Sequence, residues 1–121
     1  MDLELKKAFT EMQVNKIETT KKIRILDNQI EVLKKSKQRF ELTSRELNEL
    51  GKNANVYSAV GRCFILSSVP EIKEDLKLKQ EKVEGVVVSC EKSKEVLQKN
   101  LKEQENALRE LVDAKKKEST K

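Results

Sequence analysis

Two heptad seams limit what this chain can become more than any other feature. In the first, steps of four and three alternate through positions 5, 9, 12, 16, 19, 23, 26, 30, 33, 37, 40, 44 and 47. Nine of these thirteen are apolar: Leu5, Phe9, Met12, Ile23, Leu26, Ile30, Leu33, Phe40 and Leu47. The exceptions are Lys16, Thr19, Lys37 and Ser44. A mean spacing of about 3.5 residues draws one stripe along an α-helix, and a second helix is what covers such a stripe. Ile23-Leu26-Ile30-Leu33 alternates β-branched residues with Leu, as a narrow two-helix seam favours. The second seam runs through Leu76, Gln80, Val83, Val87, Cys90, Lys94, Leu97, Leu101, Gln104, Leu108, Leu111 and Lys115, with eight of twelve apolar if Cys90 is counted.

Composition closes off the alternatives. The 121 residues include four aromatics, Phe9, Phe40, Tyr57 and Phe64, too few to fill an ordinary compact core. Three Gly, one Pro and regular apolar spacing argue against disorder. The predicted fold class is therefore mainly α: a long antiparallel helical-hairpin coiled coil with one central β-hairpin, in a single domain over 1–121.

Local signals set the boundaries. The first helix is expected over about 3–50. Thr43-Ser44-Arg45-Glu46 reads as a capping box, which allows a break near 42, and Gly51 is the expected stop. Ser68 and Glu71 form a second capping box with Pro70 in the first turn, so the second helix is expected over about 69–117. Gly85-Val86-Val87-Val88 is a weak helix former, and a strand is the alternative there. The seam stays in phase on both sides, so the expectation is a continuous, locally soft helix. Helices of about 45 residues would be roughly 65–70 Å long. Matching the seams end to end places Phe9 near Leu108, Leu5 near Leu111 and Lys37 opposite Gln80.

The centre has a different period. Residues 54–67 read as a β-hairpin turning between Ala59 and Arg62, with β-branched and aromatic residues around Gly61. Its second strand is apolar on both faces: Phe64 and Leu66 on one, Cys63 and Ile65 on the other. A surface hairpin would alternate apolar with polar, and two strands alone are marginal in water. Something outside the chain is expected to cover it, and an oligomer follows.

Other functions find little support. The longest apolar run is Cys63 to Leu66, too short to span a membrane as a helix. Met1-Asp2-Leu3-Glu4 opens no apolar signal segment. Cys63 and Cys90 form no CxxC and have no His beside which to ligate a metal. They read as small buried apolar residues, Cys63 in the hairpin and Cys90 in the seam, and as reduced thiols of a cytosolic or nuclear protein; the expected location is cytoplasmic. No enzyme is expected. His is absent, and around Gly51-Lys52 the P-loop pattern fails at Glu46 and Asn53. No cofactor is expected either. The carboxylates fall mostly at exposed heptad positions beside Lys. Lys34-Lys35-Ser36-Lys37-Gln38-Arg39 and Lys115-Lys116-Lys117 are basic, but acidic residues interleave elsewhere and no basic region precedes a zipper, so nucleic acid is not an expected partner. Lys16, Lys37 and Lys94 on the seams are expected to set register and snorkel to water.

Val56-Tyr57-Ser58-Ala59-Val60-Gly61-Arg62-Cys63-Phe64-Ile65-Leu66 resembles the hairpin signature V/M-Y-x-x-V-G-x-x-F/L-I/V-L of beta-type prefoldin subunits. The opening Asp2-Leu3-Glu4-Leu5-Lys6-Lys7-Ala8-Phe9 resembles the eukaryotic branch of that family, as do Val60-Gly61-Arg62 and Phe64-Ile65-Leu66-Ser67. Gly85-Val86-Val87-Val88 departs from it, because the family usually has a Lys/Glu-rich helix there. The resemblance implies one subunit of an ATP-independent cochaperone hexamer with other alpha- and beta-type prefoldin subunits. It further implies unfolded clients of the actin and tubulin type, held at coiled-coil tips and passed to the cytosolic group II chaperonin. Val56, Tyr57, Val60, Gly61, Cys63, Phe64, Ile65 and Leu66 would then form the assembly hairpin. Leu3, Leu5, Phe9, Met12, Leu108, Leu111 and Val112 would form the client-binding tip. The rival reading is a structural coiled-coil adaptor without client-holding activity, which has no need of a two-faced apolar β-element.

Overall fold

The computed structural model describes residues 3–51 and 53–120. Asp2 of the opening and Lys52 lie outside them. The order of elements is α1 (Leu3–Glu49), β1 (Val56–Val60), β2 (Cys63–Ser67) and α2 (Val69–Ser119).

The fold class is the one the seams predict. Along α1, Leu5, Met12, Ile23, Leu26, Leu33, Phe40 and Ser44 are half-buried, and Thr19, Ile30 and Leu47 are buried. Along α2, Leu76 is buried, and Val83, Val87, Cys90, Leu97, Leu101, Leu108 and Leu111 are half-buried. The positions between them are mostly exposed. A helix pair covers only one stripe of each partner, so most seam side chains keep an edge in water.

The break considered near 42 is absent: α1 continues through 41–44. The capping-box reading fails there because the Thr43 hydroxyl donates 2.8 Å back to the Arg39 carbonyl, satisfying itself inside the helix. Gly51 follows the helix end without adopting positive φ, so it is not a left-handed cap. The second capping prediction is met in part. Ser68 Oγ accepts the Glu71 amide at 3.4 Å, and the Ser68 carbonyl accepts the Ile72 amide at 3.1 Å. Pro70 loses nothing in this first turn, where its missing N–H would have had no helical acceptor. Through Gly85–Val88 the helix is unbroken, with no strand.

The chain forms two compact units. The terminal unit takes its described residues from 3–29 and 90–120, and the central unit is Ile30–Ser89. In the terminal unit the two helical segments are antiparallel. Lys115 meets Glu4 at 3.1 Å, Lys16 meets Glu105 at 3.8 Å and Lys94 meets Asp27 at 2.6 Å. Asn15 Nδ2 also donates to Gln104 Oε1. In the central unit Lys37 pairs with Glu84 at 3.7 Å, and Gln80, the residue matched to Lys37 along the seams, is half-buried. The seam lysines 16, 37, 94 and 115 thus lean out of the stripe to acids on the facing helix. This satisfies each ammonium at the seam's edge.

Candidate functional site

In the central unit, β1 and β2 pair antiparallel with Val56 opposite Ser67, Tyr57 opposite Leu66, Ser58 opposite Ile65, Ala59 opposite Phe64 and Val60 opposite Cys63. The turn is the dipeptide Gly61-Arg62. Gly61 has a φ of 61° and Arg62 does not share the positive φ, the pattern of a two-residue II′ turn. A side chain at position 61 would be strained whatever the space around it.

This register sorts the hairpin into two unlike faces, because side chains alternate across a strand. One face holds Tyr57, Ala59, Phe64 and Leu66 and is apolar throughout. The other holds Val56, Ser58, Val60, Cys63, Ile65 and Ser67 and is mixed. Phe64 is 75% exposed, Leu66 60%, Tyr57 57% and Ile65 51%. Cys63, read from sequence as a buried small residue, is exposed in the single chain. Cross-strand pairing saturates the inner edge of each strand. The wholly apolar face stays exposed at Tyr57, Ala59, Phe64 and Leu66, while Val56, Ser58 and Ser67 on the mixed face are half-buried. All eight residues predicted for the hairpin are therefore brought together, and only Val56 is half-buried.

Among the described residues, the terminal unit carries two grooves in which apolar side chains are mixed with polar ones. One, of about 430 Å³, is lined by Ala8, Glu11, Met12, Asn15, Gln104, Ala107, Leu108 and Leu111. The other, of about 220 Å³, is lined by Phe9, Leu108, Arg109, Val112 and Asp113. Phe9 and Leu108 share this second groove, as the seam matching predicts. Five of the seven predicted tip residues thus line grooves. Leu3 is 81% exposed and lines neither, and Leu5 is half-buried and lines neither. Sequence reasoning missed Ala8 and Ala107, whose small side chains leave the first groove open, and the amides of Asn15 and Gln104. The available signal was the two Ala beside the seams, where a larger residue would have filled the space.

The family model for "Prefoldin subunit" matches residues 10–115. The chain belongs to the prefoldin family. It is 40% identical over 116 residues to prefoldin subunit 1 of Homo sapiens, covering 96% of this chain and 95% of the human one. Against prefoldin subunit 1 of Arabidopsis thaliana it is 39% identical over 107 residues, covering 87% of this chain and 82% of that relative. The crystal structure of the prefoldin beta subunit from Thermococcus strain KS-1 superposes with a TM-score of 0.74, covering 91% of this chain and 93% of that one. At 16% identity this last match speaks for the prefoldin beta fold alone. The resemblance carried by Val56–Leu66 and by the opening residues therefore extends over nearly the whole chain, and the protein is a prefoldin chaperone subunit.

Proposed function

We propose that this prefoldin subunit works in a hexameric, ATP-independent cochaperone of the cytoplasm, which holds unfolded clients of the actin and tubulin type and passes them to the group II chaperonin. The observation that carries the reading is the pair of open grooves in the terminal unit, to which Phe9, Met12, Leu108, Leu111 and Val112 contribute the apolar lining. A non-native chain presents scattered apolar groups, and a holder must take them weakly and without sequence preference. Met, Leu and Phe side chains adapt to irregular surfaces. Several such ends on one client multiply a weak contact through effective concentration, by roughly 10²-fold or more.

The hairpin has the other task in this reading. Its apolar face, Tyr57, Ala59, Phe64 and Leu66, seats against the hairpins of other alpha- and beta-type prefoldin subunits. No step of the cycle requires catalysis by this chain. An adaptor without client-holding activity would need neither the uncovered strand face nor the grooves.

The test trims the chain before Glu11 and after Ala107, with partner subunits trimmed alike. Native mass spectrometry is expected to find the complex assembled, since the hairpin is untouched. Suppression of aggregation of a denatured test protein is expected to be lost. A trimmed complex that protects as well as the intact one places client binding elsewhere.

A further inference from the structure

The two grooves share Leu108 but differ in charge. Around the larger one, helical neighbours three and four residues away from the small groove-lining residues are acidic. Ala107 has Glu103 and Glu110, Asn15 has Glu11 and Glu18, and Ala8 has Glu11. Glu11 lines the groove itself. All four carboxylates are exposed. The remaining three- and four-residue neighbours of Ala107 and Asn15 are the seam residues Gln104, Leu111, Met12 and Thr19. The cations at that spacing from the other lining residues are Lys7, four before Glu11, Lys16, four after Met12 and paired with Glu105, and Lys115, four after Leu111, so acids outnumber cations around the groove. Glu4, also beside Ala8, is engaged by Lys115. The smaller groove differs: Arg109 and Asp113 line it, Lys6 lies three residues before Phe9, and Lys116 lies four after Val112.

In a chain of net charge +5, an acid-rimmed groove is a local departure that selects its occupant. We propose that the larger groove takes an extended polypeptide segment in which a bulky apolar residue is flanked by Lys or Arg. The inference rests on the reading of these grooves as client sites and adds the class of segment. The apolar side chain enters over Met12, Ala107, Leu108 and Leu111. The flanking cations meet Glu11 and Glu18 on one wall, and Glu103 and Glu110 on the other. The amides of Asn15 and Gln104 offer donors and acceptors to the segment's backbone. Exposed charge pairs of this kind favour one partner over another more than they add affinity.

The test uses the full chain in its assembled complex and two labelled, unstructured peptides with the same Leu and Phe residues, one flanked by Lys and one by Glu. Fluorescence anisotropy is expected to show the Lys-flanked peptide binding about 3- to 10-fold more tightly at low ionic strength. The difference should close at high salt. The variant Glu11→Gln, Glu18→Gln, Glu103→Gln, Glu110→Gln should bind both peptides alike, with helical circular dichroism unchanged. Equal binding of the two peptides by the unaltered complex overturns the charge preference and leaves client holding in place. A preference that survives the four Gln substitutions overturns it too. Binding of neither peptide overturns both this inference and the reading beneath it. Displacement of the peptide by a further copy of the chain makes that copy the occupant and also overturns the proposal.

Discussion

The strands of the central unit and the helices of the terminal unit both carry apolar residues at regular spacing, and they treat them in opposite ways. Leu5, Met12, Ile23 and Leu26 on α1 are half-hidden against α2. Phe64 and Leu66 on β2 keep 75% and 60% of their surface in water. The helical stripe finds its complement in the same chain, because α2 repeats the 3.5-residue period. The strands meet edge to edge, so each satisfies the other's backbone but leaves the face of its side chains open. An apolar period of 3.5 is thus answered within one molecule here, whereas the apolar strand face of Tyr57, Ala59, Phe64 and Leu66 stays exposed in the single chain.

The largest expected effect tests that contrast directly. Phe64→Asp puts a charge on the wholly apolar face, and Ile65→Asp puts one on the mixed face beside Ser58. A carboxylate desolvated without a partner costs several kcal/mol. Both variants are expected to dissociate the complex in native mass spectrometry while part of the helical circular dichroism survives, with Phe64→Asp the more severe. A full-size complex formed by Ile65→Asp chains would remove that strand face from the assembly surface.

A smaller effect probes the helix where its propensity is poorest. A Cβ at Gly85 would meet nothing within 4 Å, and the site has no positive φ. Gly85→Ala should therefore stabilise by roughly 0.5–1 kcal/mol in denaturant titration. Amides of 85–88 should exchange faster than those of 97–111, and Gly85→Ala should slow them. Destabilisation by this change would mean that the position makes a contact within the assembled complex.

The smallest effect concerns the charged edges of the seam. Lys94 and Asp27 are 2.6 Å apart but 32% and 49% exposed. A double-mutant cycle with Lys94→Ala and Asp27→Ala should return a coupling of about 0.2–1 kcal/mol that shrinks with added salt. A larger, salt-insensitive coupling would mean that the terminal helices are better sealed than their exposure suggests.

Much of this was legible because periodicity is a local property with a direct physical consequence. The positions chosen at steps of three and four are nearly all buried or half-buried, even polar Thr19 at 8% exposed. Phe9, Lys16 and Gln104 stay exposed. Ser68 caps α2 as its spacing to Glu71 suggested. Thr43 shows the limit of such signals. The same residue type in the same pattern back-bonds to Arg39 when the helix around it is already formed, and no short motif distinguishes the two outcomes.

The amino-acid sequence by itself determined the two helices, the seam each one hides, and the apolar strand pair between them, because each depends on spacing along a few consecutive turns or residues. Tertiary structure alone decided which acid each seam lysine meets, Lys37 reaching Glu84. It also decided which residues of β1 share a face with which of β2, and that Ala8, Asn15, Gln104 and Ala107 line one groove. Those outcomes depend on which residues far apart in the chain come to lie side by side. One residue's shift in strand pairing, or one turn's slip between helices, would rearrange them while leaving every local pattern intact.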